Sequence, residues 1–395
     1  MVLPLLTYYL SPSDYGIVSN YTVYTSILLI FVGLNMNGAL AANFYKMKRE
    51  ETAQYVSNLF IVTFIAGVIC CLIIAVFSKQ LSHAIFIPPM FLIAGVAIVF
   101  AQAVTVINLD LWRMQEKPMQ FGIYQISQSV ANVGFTIILV VIYKMGWQGR
   151  IWAVLLSTVL FFLISLFILY KRGFLKFAYK REYINDALKF GVPMIPHTLG
   201  IWIRTGIDRI YISRFYGTSE TGLYSTGFQF GLLLSFLVLA FHNAYTPHVY
   251  KVLSNDSVDK KNKLVKFTYG YFAVVAVLAI VFSGISIIII RYFLSSHYQE
   301  SSRYVIWAMF SQAFQGMYFM VGIYIFYAKR TKSIAIATSI VAITQLLLSY
   351  ILVKYIGPIG AAYSSCIIGL LNLFVVWYFS ARSFQMPWFN FERRK

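Results

Sequence analysis

Charge is what this sequence has least of. Only 11% of its 395 residues are Asp, Glu, Lys or Arg, and just 13 are acidic, whereas a soluble globular chain carries about 25% charged residues. Acids are scarcest inside the apolar runs, where Asp208 stands alone and Asp110 lies near a helix end. That scarcity argues against paired-acid catalysis and against an acidic metal cluster. Cysteine is also rare. Cys70, Cys71 and Cys366 all lie in apolar runs without disulfide or metal spacing, and they read as buried and inert. Met1–Leu10 is apolar but lacks a basic leader and a small-residue cleavage site, so no cleavable signal peptide is expected. There is no Walker loop, no G-x-S-x-G elbow and no H-E-x-x-H pair. The chain reads as a non-enzyme needing no cofactor, and any transport would draw on an ion gradient or on the substrate's own gradient.

What the chain does have is apolar length. It is 59% hydrophobic with a mean hydropathy of +0.73, and stretches such as Tyr269–Ile290 and Ile151–Tyr170 contain no formal charge. A helix needs ~20 apolar residues to cross the ~30 Å hydrocarbon core. Apolar runs between polar breaks predict full spans near 17–42, 54–77, 86–109, 120–143, 151–170, 190–213, 221–248, 267–290, 304–327, 333–353 and 359–380, after a shorter remnant at 1–10. The chain is therefore expected to be an all-α polytopic membrane protein. No loop between the spans has room for a soluble catalytic domain.

A net charge of +19 would suggest nucleic acid in a soluble protein. Here its distribution explains it, and no nucleic-acid partner is expected. Most of the 32 basic residues lie in one set of alternate loops, in the stretches 46–49, 113–117, 171–189, 251–266, 329–332 and 382–395. The opposite set carries only Lys79, Lys144, Arg150, Arg214, Arg291, Arg303 and Lys354. The positive-inside rule places the richer set, with the C-terminus, in the cytoplasm.

The two halves share short segments in register. Ser13, Asp14, Gly16 and Ser19 align with Ser219, Glu220, Gly222 and Ser225; Tyr45-Lys46 aligns with Tyr250-Lys251; GWQG at 146–149 aligns with GPIG at 357–360. Three matches in order, at nearly one offset, predict two six-helix lobes in parallel repeat, at 1–180 and 181–395. The repeat also predicts a truncated first helix, with roughly twenty residues expected before Met1.

One span carries formal charges. In IWIRTGIDRIYISRFYG, 201–217, the polar residues recur at helical spacing: Gly200, Arg204 and Asp208 are four apart, and His197, Arg204 and Tyr211 are seven apart. All fall on or near one stripe. Arg204 would lie ~20 Å into a ~30 Å core and Arg209 ~27 Å, so Arg209 can snorkel to the outer interface as an anchor. An Arg at mid-helix costs at least ~2.5–3.5 kcal/mol to insert. Two readings explain Arg204: an i,i+4 pair with Asp208 that pins this helix to its neighbours, or a cavity where it meets an anionic substrate group. His197 on the same stripe belongs to the second reading, as do Gln125, Gln128 and Asn132 on another span. Gln312 with Gln315, and Gln345 with Ser349, are also helically spaced. Interhelical hydrogen bonds give all of these amides and hydroxyls a structural alternative.

The run LKFGVPMIPHTLGIWIRTGIDRIYISRFYGTSETGLYS at 188–225, LPLLTYYLSPSDYGIVS at 3–19 and GPIGAAYSS at 357–365 resemble polysaccharide-biosynthesis flippases, the Wzx-type proteins of the multidrug/oligosaccharidyl-lipid/polysaccharide exporter superfamily. The resemblance implies two six-helix lobes around a central cavity, working by alternating access in the bacterial inner membrane. It implies as substrate an undecaprenyl-diphosphate-linked oligosaccharide, moved to the outer leaflet for O-antigen, capsule or exopolysaccharide assembly. A polysaccharide polymerase and glycosyltransferases would be partners, besides membrane lipids. The diphosphate-holding role falls to Arg204, with Asp208 and Arg209 as neighbours, and Asp208 or His197 is the candidate for gradient coupling. The alternatives are a multidrug cation-antiport exporter of the same fold and a non-transporting scaffold of envelope assembly. A polymerase or lipid-linked glycosyltransferase would need a large outer loop or catalytic acids.

Overall fold

A computed structural model of the chain describes residues 3–176, 178–254, 258–328 and 330–388, without the side chains of 331–333 and 335. Of the basic residues that set the expected orientation, Lys329, Arg393, Arg394, Lys395 and the side chain of Lys332 lie outside the described residues. The described residues form helices and connecting turns, with no strand. In order these are α1 (Leu3–Tyr9), α2 (Pro12–Gly33), α3 (Met36–Asn43), α4 (Arg49–Ile85), α5 (Pro89–Met114), α6 (Pro118–Thr136), α7 (Gly146–Lys171), α8 (Arg181–Leu253), α9 (Val258–Phe293), α10 (Ser302–Tyr327), α11 (Thr331–Ile356) and α12 (Ile359–Ser383).

Local chemistry sets the helix starts. Ser11 caps α2 in a reciprocal box with Asp14, and Pro12 follows at the first helical position, where its missing N–H costs nothing. Pro89 and Pro118 open α5 and α6 in the same way. At α4 the Glu51 carboxylate accepts the Lys48 N–H at 2.8 Å.

Nine of the described helices are long and apolar enough to cross a membrane, and the chain is a multi-pass membrane protein. The eleven spans expected from sequence reconcile with nine in two steps. α8 contains two of them, because it bends at Gly217 (φ 85°, ψ 176°) into arms 181–216 and 218–253. α10 holds another, its hydropathy lowered by Gln312, Gln315 and four tyrosines. Outward faces are apolar, as on α4 (Phe64, Leu72, Val76) and α9 (Val274, Val277, Ile280), which suits lipid rather than water.

Two sequence expectations need correcting. The span placed at 17–42 is broken, because Leu34 and Asn35 adopt left-handed conformations (φ 44° and 50°) between α2 and α3. The first arm of α8 fills that notch: a Cβ on Gly191 would stand 2.0 Å from the Leu34 carbonyl oxygen. The three cysteines are free but only half-buried: Cys70 and Cys71 lie on α4, which turns much of its surface outward, and Cys366 lies on α12.

The chain separates into two units, 1–202 and 203–395. The division falls within α8, downstream of the 180/181 boundary drawn from sequence, because the start of that helix packs on the first unit. Ala187 joins the core of Met36, Leu40, Tyr55 and Leu59. Asp186 accepts from Tyr55 and from Asn43, both at 2.8 Å, and Trp202 donates to the Val23 carbonyl at 3.0 Å. The second unit packs α9, α10 and α12 around Leu264, Met320, Val321, Tyr324 and Val376. Trp388, after α12, closes that core, with its carbonyl accepting from Tyr269 at 2.7 Å.

Candidate functional site

The bend of α8 brings its charged stretch back against its own second arm. Gly217 occupies a region essentially reserved for glycine, and three hydrogen bonds lace the arms together above it. Ser213 and Thr221 share one at 2.8 Å, Tyr224 donates to Asp208 at 2.9 Å, and Arg209 Nε donates to Ser225 at 3.2 Å. Arg209 also donates to the Thr205 carbonyl at 2.6 Å. It therefore braces the two arms, a contact that its depth along the span did not indicate.

Asp208 is 3% exposed. Its carboxylate accepts from four neutral donors on three segments: Tyr224 on the second arm, Gln345 (2.9 Å) and Ser349 on α11, and Ser365 (2.6 Å) on α12. No cation among the described residues lies at ion-pair distance. The proposed Arg204–Asp208 pair is absent. Spacing i,i+4 puts two side chains in reach, but Asp208 turns toward a ready-made nest of hydroxyls and an amide, which satisfies a buried carboxylate without the entropy of holding two long side chains.

Arg204 points elsewhere. Its Nη2 donates to Gln315 Oε1 on α10 at 2.5 Å, and Tyr318, one turn further on, lies within electrostatic range. No carboxylate among the described residues meets the guanidinium, so Nε and Nη1 keep their donors unspent on protein acids. A half-buried guanidinium held by one amide is poised to accept an anion, and its planar fork matches phosphate oxygens.

The remaining candidates divide between the units. His197 belongs to the first unit, as do Gln125, Gln128 and Asn132 on α6, while Arg204, Asp208 and Arg209 belong to the second. Gln125 is exposed and Gln128 half-buried. Asn132 donates to Ser157 at 2.9 Å and accepts from Arg150 at 2.8 Å. Arg150, half-buried against Asn132 and Thr136, escaped the sequence reading because it looked like one more loop cation after GWQG. Tyr224 and Ser365 escaped it too. Only their arrival at Asp208 distinguishes them from other membrane tyrosines and serines.

The family model for a polysaccharide biosynthesis protein matches residues 1–252. A protein of the Lsg locus of Haemophilus influenzae is 27% identical over 393 residues, covering 96% of this chain and 92% of that protein. Two solved structures share the fold. An inward-facing multidrug resistance MATE family transporter of the MOP superfamily has a TM-score of 0.79 at 15% identity, covering 96% of this chain and 94% of the other. The lipid II flippase MurJ, in an inward closed conformation, has a TM-score of 0.71 at 17% identity, covering 96% and 87%.

Proposed function

We propose a transport function from one premise: the chain belongs to the family of polysaccharide biosynthesis proteins. In this reading it is a flippase that carries undecaprenyl-diphosphate-linked oligosaccharide repeat units from the cytoplasmic to the outer leaflet of the bacterial inner membrane. The translocated units supply a surface polysaccharide such as O-antigen, capsule or exopolysaccharide. Arg204 receives the diphosphate. The observation that carries this is the guanidinium itself, deep in an apolar span, held among the described residues by Gln315 and unpaired with any described acid. An arginine without an acid in the membrane is expensive, and an anionic headgroup offsets that expense only while substrate is aboard.

Asp208 takes a separate role. Its four neutral donors make it the candidate coupling group, able to exchange a proton or a small cation without disturbing Arg204. A cationic drug would need an accessible acid, and this one is enclosed, so the multidrug reading fits the site less well.

The test is genetic and chemical. A deletion strain should lose surface polysaccharide and accumulate lipid-linked oligosaccharide in the inner leaflet. Arg204→Ala should restore about a tenth or less of the wild-type flux, the loss of one charge-assisted contact, at normal membrane levels. Full restoration by Arg204→Ala would overturn the role of Arg204. A deletion strain with no accumulated intermediate would overturn the flippase reading itself.

A further inference from the structure

A second unpaired cationic feature lies in the first unit, at the end of α7. Arg172 follows the last residue of that helix, and its guanidinium stacks on two rings, Trp112 and Phe174, each 5.1 Å away. Two amides accept from it, Asn108 at 2.9 Å and Gln115 at 2.5 Å. Arg49, the first residue of α4, lies 5.9 Å over the same Phe174 ring and donates to the Arg172 carbonyl at 2.9 Å.

One ring thus carries two guanidiniums, and no described carboxylate neutralises either. The acids nearby are engaged elsewhere. Glu50 is paired with Lys176 at 2.7 Å, which holds its carboxyl below the ordinary range, and Glu51 caps α4. Burial, and then the charge of Arg49, pull Arg172 down to about 10. Two guanidiniums on one ring with no described acid to neutralise them favour an anion as partner, and a membrane-end position limits the candidates.

We propose that Arg49 and Arg172 form a phosphate site for the headgroup of an anionic membrane lipid, with the Phe174 and Trp112 rings fixing the fork. The chemistry is that of two guanidiniums sharing phosphate oxygens at the bilayer surface. Positive-inside bias puts this end of the first unit in the cytoplasm. Two lipids present that group there: bulk anionic phospholipid, and a polyprenyl-diphosphate carrier waiting to be loaded. The site does not depend on the transport reading, which rests on the family match, nor on the cargo role of Arg204.

The experiment uses the full-length protein, every form carrying Arg204→Ala so that the proposed cargo site takes no diphosphate, in phosphatidylcholine nanodiscs titrated with phosphatidylglycerol in one arm and with a polyprenyl diphosphate in the other. Saturable binding in either arm is expected, roughly tenfold weaker in Arg49→Gln and unchanged in Lys79→Gln, an exposed cation towards the far end of α4. The arm that saturates at the lower concentration identifies the lipid. Arg49 is exposed, so its variant should fold even where Arg172→Gln does not. No saturable binding in either arm, or equal binding with and without Arg49→Gln, would overturn the site.

Discussion

At the residue scale, the contrast between Arg204 and Asp208 is one of partners. Both charges were legible in the sequence, because a charged residue within an apolar run announces itself. Their partners were not. Spacing along one helix gives reach, whereas orientation is decided by what other helices present, and Asp208 meets donors on α11, α12 and the second arm of α8. The polar pairs at 312 with 315 and 345 with 349 were visible as stripes, but nothing in their spacing said which charge each would serve. Removing one donor is informative. Ser365→Ala should cost about 1.5–3 kcal/mol, the value of a hydrogen bond to a charged group, read as a lowered midpoint of thermal unfolding in detergent. A midpoint equal to that of wild type would mean that the carboxylate does not depend on this hydroxyl.

At the scale of elements, two glycines hold positions no other residue fits. At Gly217 the backbone lies in the region reserved for glycine, and Gly217→Ala should cost about 1–3 kcal/mol. Gly191→Ala should cost a similar amount, about 1–3 kcal/mol, because its new Cβ would press on the Leu34 carbonyl and force the broken segment to shift. Thermal unfolding of each variant, beside a change at an open glycine such as Gly122→Ala, separates these causes from a general effect of substitution. The span pattern was the most legible part of the fold, since apolar length is a property of composition. The breaks were not. Asn35, between Gly33 and Gly38, tolerates the left-handed conformation, yet it sits in an apolar run that reads as one span, and GTSE at 217–220 fell between two spans although all but its first residue is helical. Tertiary fit, here the seat of Gly191 at the notch, decides both.

At the scale of the whole molecule, the alternation of basic loops predicts sidedness. With Cys70, Cys71 and Cys366 replaced, a single cysteine at Lys261 should react with a membrane-impermeant maleimide only from the cytoplasmic side, and one at Lys144 only from outside. The reverse pattern would invert the orientation. If Asp208 couples transport to a gradient, collapsing the proton and sodium gradients in vesicles should abolish uptake, and Asp208→Asn should be insensitive to that collapse. The separation of Arg204 from Asp208 has one further consequence. Had the two formed an ion pair, an arriving anion would have had to displace a carboxylate already in place, and each binding event would release a buried negative charge. Held apart by neutral dipoles, the two charges can change occupancy independently. On the proposed reading, cargo would arrive at Arg204 while Asp208 keeps its protonation or ion state, so that loading and driving are separate steps.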